Sequence, residues 1–123
     1  MSAPEVYTVE EANALLPYLA PTLVELREKY EEAELIRSKM ATASASNGGS
    51  HDRDEWAVKL ARVSELFDRI TGWNIELRDI STGLVDFPGE IGTERVWLCW
   101  RLGEPDVAYW HPVTEGFDGR RPL

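Results

Sequence analysis

The chain predicts an α+β fold in which an antiparallel, coiled-coil-like helical hairpin packs against a small C-terminal antiparallel β-sheet. Three observations predict it. Apolar residues from Leu16 to Ile70 recur at alternating steps of three and four, with one break at Asn47-Gly48-Gly49. After Gly72 the rhythm changes to an alternation of period two, and Ser81-Thr82-Gly83, Pro88-Gly89 and Gly103-Glu104-Pro105-Asp106 punctuate it with turn signals. With 123 residues, 43% of them hydrophobic, the chain is of one-domain size.

The first helix starts at a capping box, Thr8-Val9-Glu10-Glu11, in which the Thr8 hydroxyl accepts from the Glu11 amide and the Glu11 carboxylate reaches back. Glu10 and Glu11 also suit the positive end of the helix dipole. Pro17 and Pro21 each remove an amide donor, so a short helix over 9–16 and a kink over 17–21 are expected within a kinked helix spanning 9–41. Leu16, Leu19, Leu23, Leu26, Tyr30, Ala33 and Met40 form its apolar seam. Residues 42–53 read as a flexible loop that includes His51. A second helix over 54–71 presents Trp56, Leu60, Val63, Phe67 and Ile70, and Gly72 stands where a terminator belongs. Both stripes are narrow. The sheet, a second copy of the chain, or both must complete the core.

The sheet is expected over 75–113, with a tail over 114–123. Ile75–Arg78 and Leu84–Phe87 are its first two strands, the second stopped by Pro88-Gly89; Val96–Leu102 and Val107–Val113 are the third and fourth. Closing the last hairpin on Leu102 and Val107 pairs Trp100 with Tyr109, Cys99 with Trp110 and Leu98 with His111. In that register Val96, Leu98, Trp100, Tyr109 and His111 share the core face, and Trp97, Cys99, Arg101 and Trp110 share the other.

Composition excludes several functions. A formal charge of −9, from 22 acidic and 13 basic residues, opposes binding to nucleic acid and to anionic membrane surfaces. No stretch has the roughly 20 apolar residues that cross a bilayer, and residues 1–5 do not read as a signal peptide. A single cysteine, Cys99, fits a reducing, cytoplasmic compartment.

The segment Val96–His111 gathers three Trp, one Tyr, the lone Cys and one of the two His, so chemistry concentrates there. Asp86, Glu104 and His111 are the catalytic candidates. Trp97, Trp100, Arg101, Trp110 and Arg120 are candidates for holding a ligand or partner, the aromatics by stacking and the guanidinium groups by forked contact with an anion. No metal site is expected, because the predicted register puts Cys99 and His111 on opposite faces and no CxxC or HExxH spacing occurs. No cofactor motif is present either. Cys99 reads as a small buried residue.

Tyr7–Pro17, Gly83–Pro88, Val96–His111 and Gly116–Leu123, taken together, resemble the bacterial family catalogued as domain of unknown function 2203 over nearly the whole chain. The resemblance implies a helix-loop-helix followed by a sheet, carries no assigned activity, and draws attention to Asp86, Cys99, Trp100, Gly103, Glu104, Trp110 and His111. The expected function is a non-enzymatic interaction or ligand-binding module acting as a homo-oligomer, a dimer, with a protein or small ligand as partner. The alternative is a small hydrolase or metal-dependent enzyme using Asp86, Glu104 and His111.

Overall fold

The computed structural model describes residues 3–42 and 50–123. Two helices, α1 (Val9–Thr42) and α2 (Ser50–Gly72), precede the strands β1 (Glu76–Asp79), β2 (Leu84–Ile91), β3 (Glu94–Arg101), β4 (Tyr109–Pro112) and β5 (Arg121–Pro122), so the α+β arrangement is as expected. The helices run antiparallel: Arg62 grips Glu25, Lys59 meets Glu32 and Lys39 meets Asp52, numbers falling on α1 as they rise on α2.

Thr8 and Glu11 make the expected capping box, each amide donating to the other's side chain at 2.9 and 3.0 Å. The expected short helix over 9–16 does not end there: α1 continues unbroken through both prolines. Pro17 and Pro21 stand four apart on the exposed side of the helix, so the carbonyls of Asn13 and Pro17 that lose their donors are released toward water. Leu19, Leu23 and Leu26, all buried, hold the opposite side. Helix α2 begins at Ser50, which makes His51 helical and shortens the expected 42–53 loop; residues 43–49 lie outside the described residues. Its buried side chains are Leu66 and Ile70, whereas Leu60 and Phe67 of the expected seam are exposed. Gly72 is the last helical residue, and the left-handed position falls two residues later on Asn74 (φ 62°).

All five strands form one antiparallel sheet in the order β1-β2-β3-β4-β5, so part of the expected tail is an edge strand. Strand β2 does not stop at Pro88-Gly89 but pairs with β3 as far as Ile91. The Pro88 carbonyl accepts from the Tyr7 amide at 2.7 Å, so Pro88's backbone polar groups face away from β3 and its missing N–H costs the ladder nothing. Gly89 admits the Leu98 side chain: a Cβ there would lie 2.8 Å from Leu98 Cγ.

The core lies between the hairpin and the sheet's inner face, where Val85, Phe87, Val96, Leu98 and Trp100 meet Leu19, Leu23, Leu26, Leu66 and Ile70. Tyr7 closes one end, edge-on to Phe87 at 5.1 Å.

The register of β3 and β4 corrects the sequence reading. Cys99 opposes Tyr109, Trp97 opposes His111 and Leu98 opposes Trp110, one residue away from the expected pairing. Leu102 and Val107 do not close the hairpin, because the Leu102 amide donates to the Gly83 carbonyl (3.0 Å) and the Val107 amide to Asn13 Oδ1 on α1 (2.7 Å). The intervening loop is folded on itself, with Trp100 Nε1 donating to the Glu104 carbonyl at 3.1 Å. A one-residue slip exchanges the faces of a strand. Tyr109 and His111 therefore join Cys99 on the outer face, and Trp110 packs beside the core. Among the described residues, no helix is long and apolar enough to cross a membrane.

Candidate functional site

Corrected register brings four chemistry-bearing side chains together on the outer face. Asp86 on β2 is the direct cross-strand neighbour of Cys99 on β3, and His111 follows one row away on β4. Arg78 arrives from β1 through an irregularity between Leu77 and Asp79, where an extra residue enters the strand. Its Nε donates to Asp86 Oδ2 at 2.8 Å, and its guanidinium lies 4.9 Å from the centre of the Trp97 ring.

Asp86, Cys99 and His111 are all at most 2% exposed. His111 Nε2 lies 3.0 Å from Asp86 Oδ2, and Nδ1 lies 2.9 Å from the Pro112 carbonyl oxygen. A carbonyl only accepts, so Nδ1 carries a proton and donates to it. Asp86 Oδ1 is buried and has no hydrogen-bond partner. One potential ligand atom from each of Asp86, Cys99 and His111 lies within 4.8 Å of the other two. These groups form the floor of a cavity of about 340 Å³, walled by Trp97, Leu84 and the Val113–Phe117 segment of the tail.

Burial, and then the Asp86 carboxylate beside it, pushes the Cys99 thiol up to about 12. Unliganded, it is protonated at neutral pH and a poor nucleophile. Its expected place as a small buried residue holds, but its expected separation from His111 does not. The geometric argument against a metal site rested on that separation and goes with it.

The remaining candidates disperse. Glu104 sits in the β3–β4 loop, where both carboxylate oxygens accept from Arg120 Nη2 at 2.7 and 2.8 Å and Oε1 also accepts from the Arg101 amide. Arg120 is sandwiched between Tyr109 (4.1 Å) and Phe117 (4.6 Å), clamping the tail onto the sheet. Arg101 lies over Phe117 at 5.1 Å. Trp100 is buried in the core, and Trp110 flanks it beneath Arg121. Only Trp97 of the expected aromatic platform faces the cavity. Sequence reasoning missed Arg78, because its position depends on a strand irregularity that leaves no mark in the alternation of Glu76-Leu77-Arg78-Asp79. The signal that did exist was Asp86, a lone charge inside the apolar run Leu84–Phe87.

No curated protein and no solved structure matches the chain significantly. The family model described as an uncharacterized conserved protein, DUF2203, matches residues 5–123, and the chain, with this buried Asp-Cys-His cluster on the outer face of its sheet, belongs to that family.

Proposed function

We propose that the protein is a small-ligand-binding module whose site is the outer-face cavity. The observation that carries this reading is Asp86: a carboxylate 2% exposed, one oxygen without a partner, on the floor of an opening lined by His111, Cys99, Arg78 and Trp97. Leaving a buried acceptor unpaired costs about 1–3 kcal/mol, which a ligand donor or cation in the cavity offsets. A volume of about 340 Å³ suits a small polar molecule. Binding is favoured over the catalytic alternative because Glu104, which that alternative requires, has both oxygens engaged by Arg120.

Ligand-observed NMR with a library of small polar fragments tests the reading. Fragments should bind the native chain and lose binding in Thr114→Trp, which fills the cavity mouth; hits indifferent to that change, or none, would remove it. Homo-dimerisation through the helical hairpin is a second part of the proposal, supported by Leu35 and Val58, exposed by 72% and 68%. Light scattering at rising concentration should show the dimer mass, and a constant monomer mass would refute it. The lone reduced thiol suits residence in a bacterial cytoplasm.

A further inference from the structure

Resting on that reading of the cavity, we infer that Asp86 Oδ1, Cys99 Sγ and His111 Nε2 form a three-donor site for a transition-metal dication of the zinc class. Three independent features of the geometry carry it. The first is proximity across three different strands: one ligand atom from each side chain lies within 4.8 Å of the other two, against the roughly 3.3–3.8 Å that metal–ligand bonds of about 2.0–2.3 Å imply at a tetrahedral centre. Closing the difference takes a rotamer adjustment of about 1 Å, which the open cavity side of the cluster permits.

The second feature is the orientation of His111. With Nδ1 against the Pro112 carbonyl, as in the outer contacts that orient metal-bound histidines, Nε2 is the ring nitrogen turned toward Asp86. Nε2 faces Asp86 Oδ2 at 3.0 Å, a hydrogen bond that a bound ion would replace, any proton on Nε2 passing to solvent. The third is Asp86 itself. Oδ2 is already oriented by Arg78, as the carboxylates of metal sites are by their outer partners, while Oδ1 is buried and unpartnered in a residue that lines the cavity.

Thiolate, imidazole and carboxylate together select zinc, cobalt or copper over magnesium and calcium, which prefer all-oxygen shells. Three protein donors would leave a fourth coordination position for a ligand from the cavity, whose lining includes Trp97 and Phe117. An ion there gives Asp86 Oδ1 its missing partner and converts the protonated thiol into a bound thiolate, the proton passing to solvent.

Cobalt(II) titration of the reduced, untagged full-length chain tests the site. Expected are a thiolate-to-cobalt charge-transfer band in the near ultraviolet, intense visible bands of a four-coordinate ion, saturation near one ion per chain, and loss of both on adding zinc. Cys99→Ser should abolish the charge-transfer band with an unchanged far-ultraviolet circular dichroism spectrum. Asp86→Asn and His111→Gln should each weaken binding at least ~10-fold. His51→Ala, which alters an exposed histidine on α2, should leave binding unchanged. Should a core variant fail to fold, zinc must still raise the thermal unfolding midpoint of the native chain in a concentration-dependent way. Absence of the band in the native chain, or a band indifferent to Asp86 and His111, overturns the inference. Fragment binding in the cavity without metal binding sinks the metal site and leaves the ligand-binding reading standing; cobalt binding without any fragment binding does the reverse.

Discussion

Asp86 and Cys99 are cross-strand neighbours with different partners. The carboxylate keeps Arg78 and His111 as partners, whereas the thiol has burial and a neighbouring carboxylate against its ionisation. Asp86→Ala strands a buried imidazole and should cost about 3 kcal/mol in urea unfolding of the metal-free protein. Cys99→Val, close in volume and apolar, should change stability by less than about 1.5 kcal/mol at neutral pH. The two chains should then diverge in alkali. The unfolded thiol ionises near the ordinary thiol value of 9.0 while the folded thiol holds its proton to about 12, so across that window the native state binds more protons than the unfolded one. Stability from Cys99 is therefore fully present below pH 9 and declines as pH rises toward 12, a loss that Cys99→Val should lack. Unfolding midpoints of the two proteins between pH 8 and pH 11 measure the difference.

Among the elements, the helices were legible because their causes are local. A capping box and a repeating apolar seam lie within a few residues of what they control, and Thr8–Glu11 formed as its residue types require. Pro17 and Pro21 do not end the helix, because proline's effect depends on which side of the helix it occupies, and only packing sets that side. Strand β2 likewise does not end at Pro88-Gly89. Both residues belong in the strand because Pro88 turns its backbone toward Tyr7 and Gly89 makes room for Leu98. Gly89→Ala places a methyl group 2.8 Å from Leu98 Cγ and should destabilise by about 1–3 kcal/mol through overpacking, measured by chemical denaturation. A second change, Leu98→Ala, relieves that clash, so the double variant should lose less than the two single losses added together.

Across the whole molecule, the tail turns an exposed sheet face into a walled cavity. Arg120, held between two rings and forked onto Glu104, is the clamp. Arg120→Ala should release residues 114–123, seen as faster amide hydrogen exchange there, with α1 and α2 keeping their protection. Equal loss of protection in the helices would show that the clamp supports the entire fold. The candidate site was half legible: Asp86 and His111 were candidates from the sequence, but Cys99 was placed on the face opposite His111 and Arg78 was passed over.

What the amino-acid order determined by itself was the division into paired helices and a pleated sheet, since a change of apolar period acts over a few residues and needs no distant partner. What tertiary structure alone decided was which side chains meet. The Val107 amide finds Asn13 across 94 positions and the Leu102 amide finds Gly83, moving β4 by one residue against β3. Because a pleated strand alternates its faces at every residue, that single step carries His111 from the core face to the side where Asp86 and Cys99 lie.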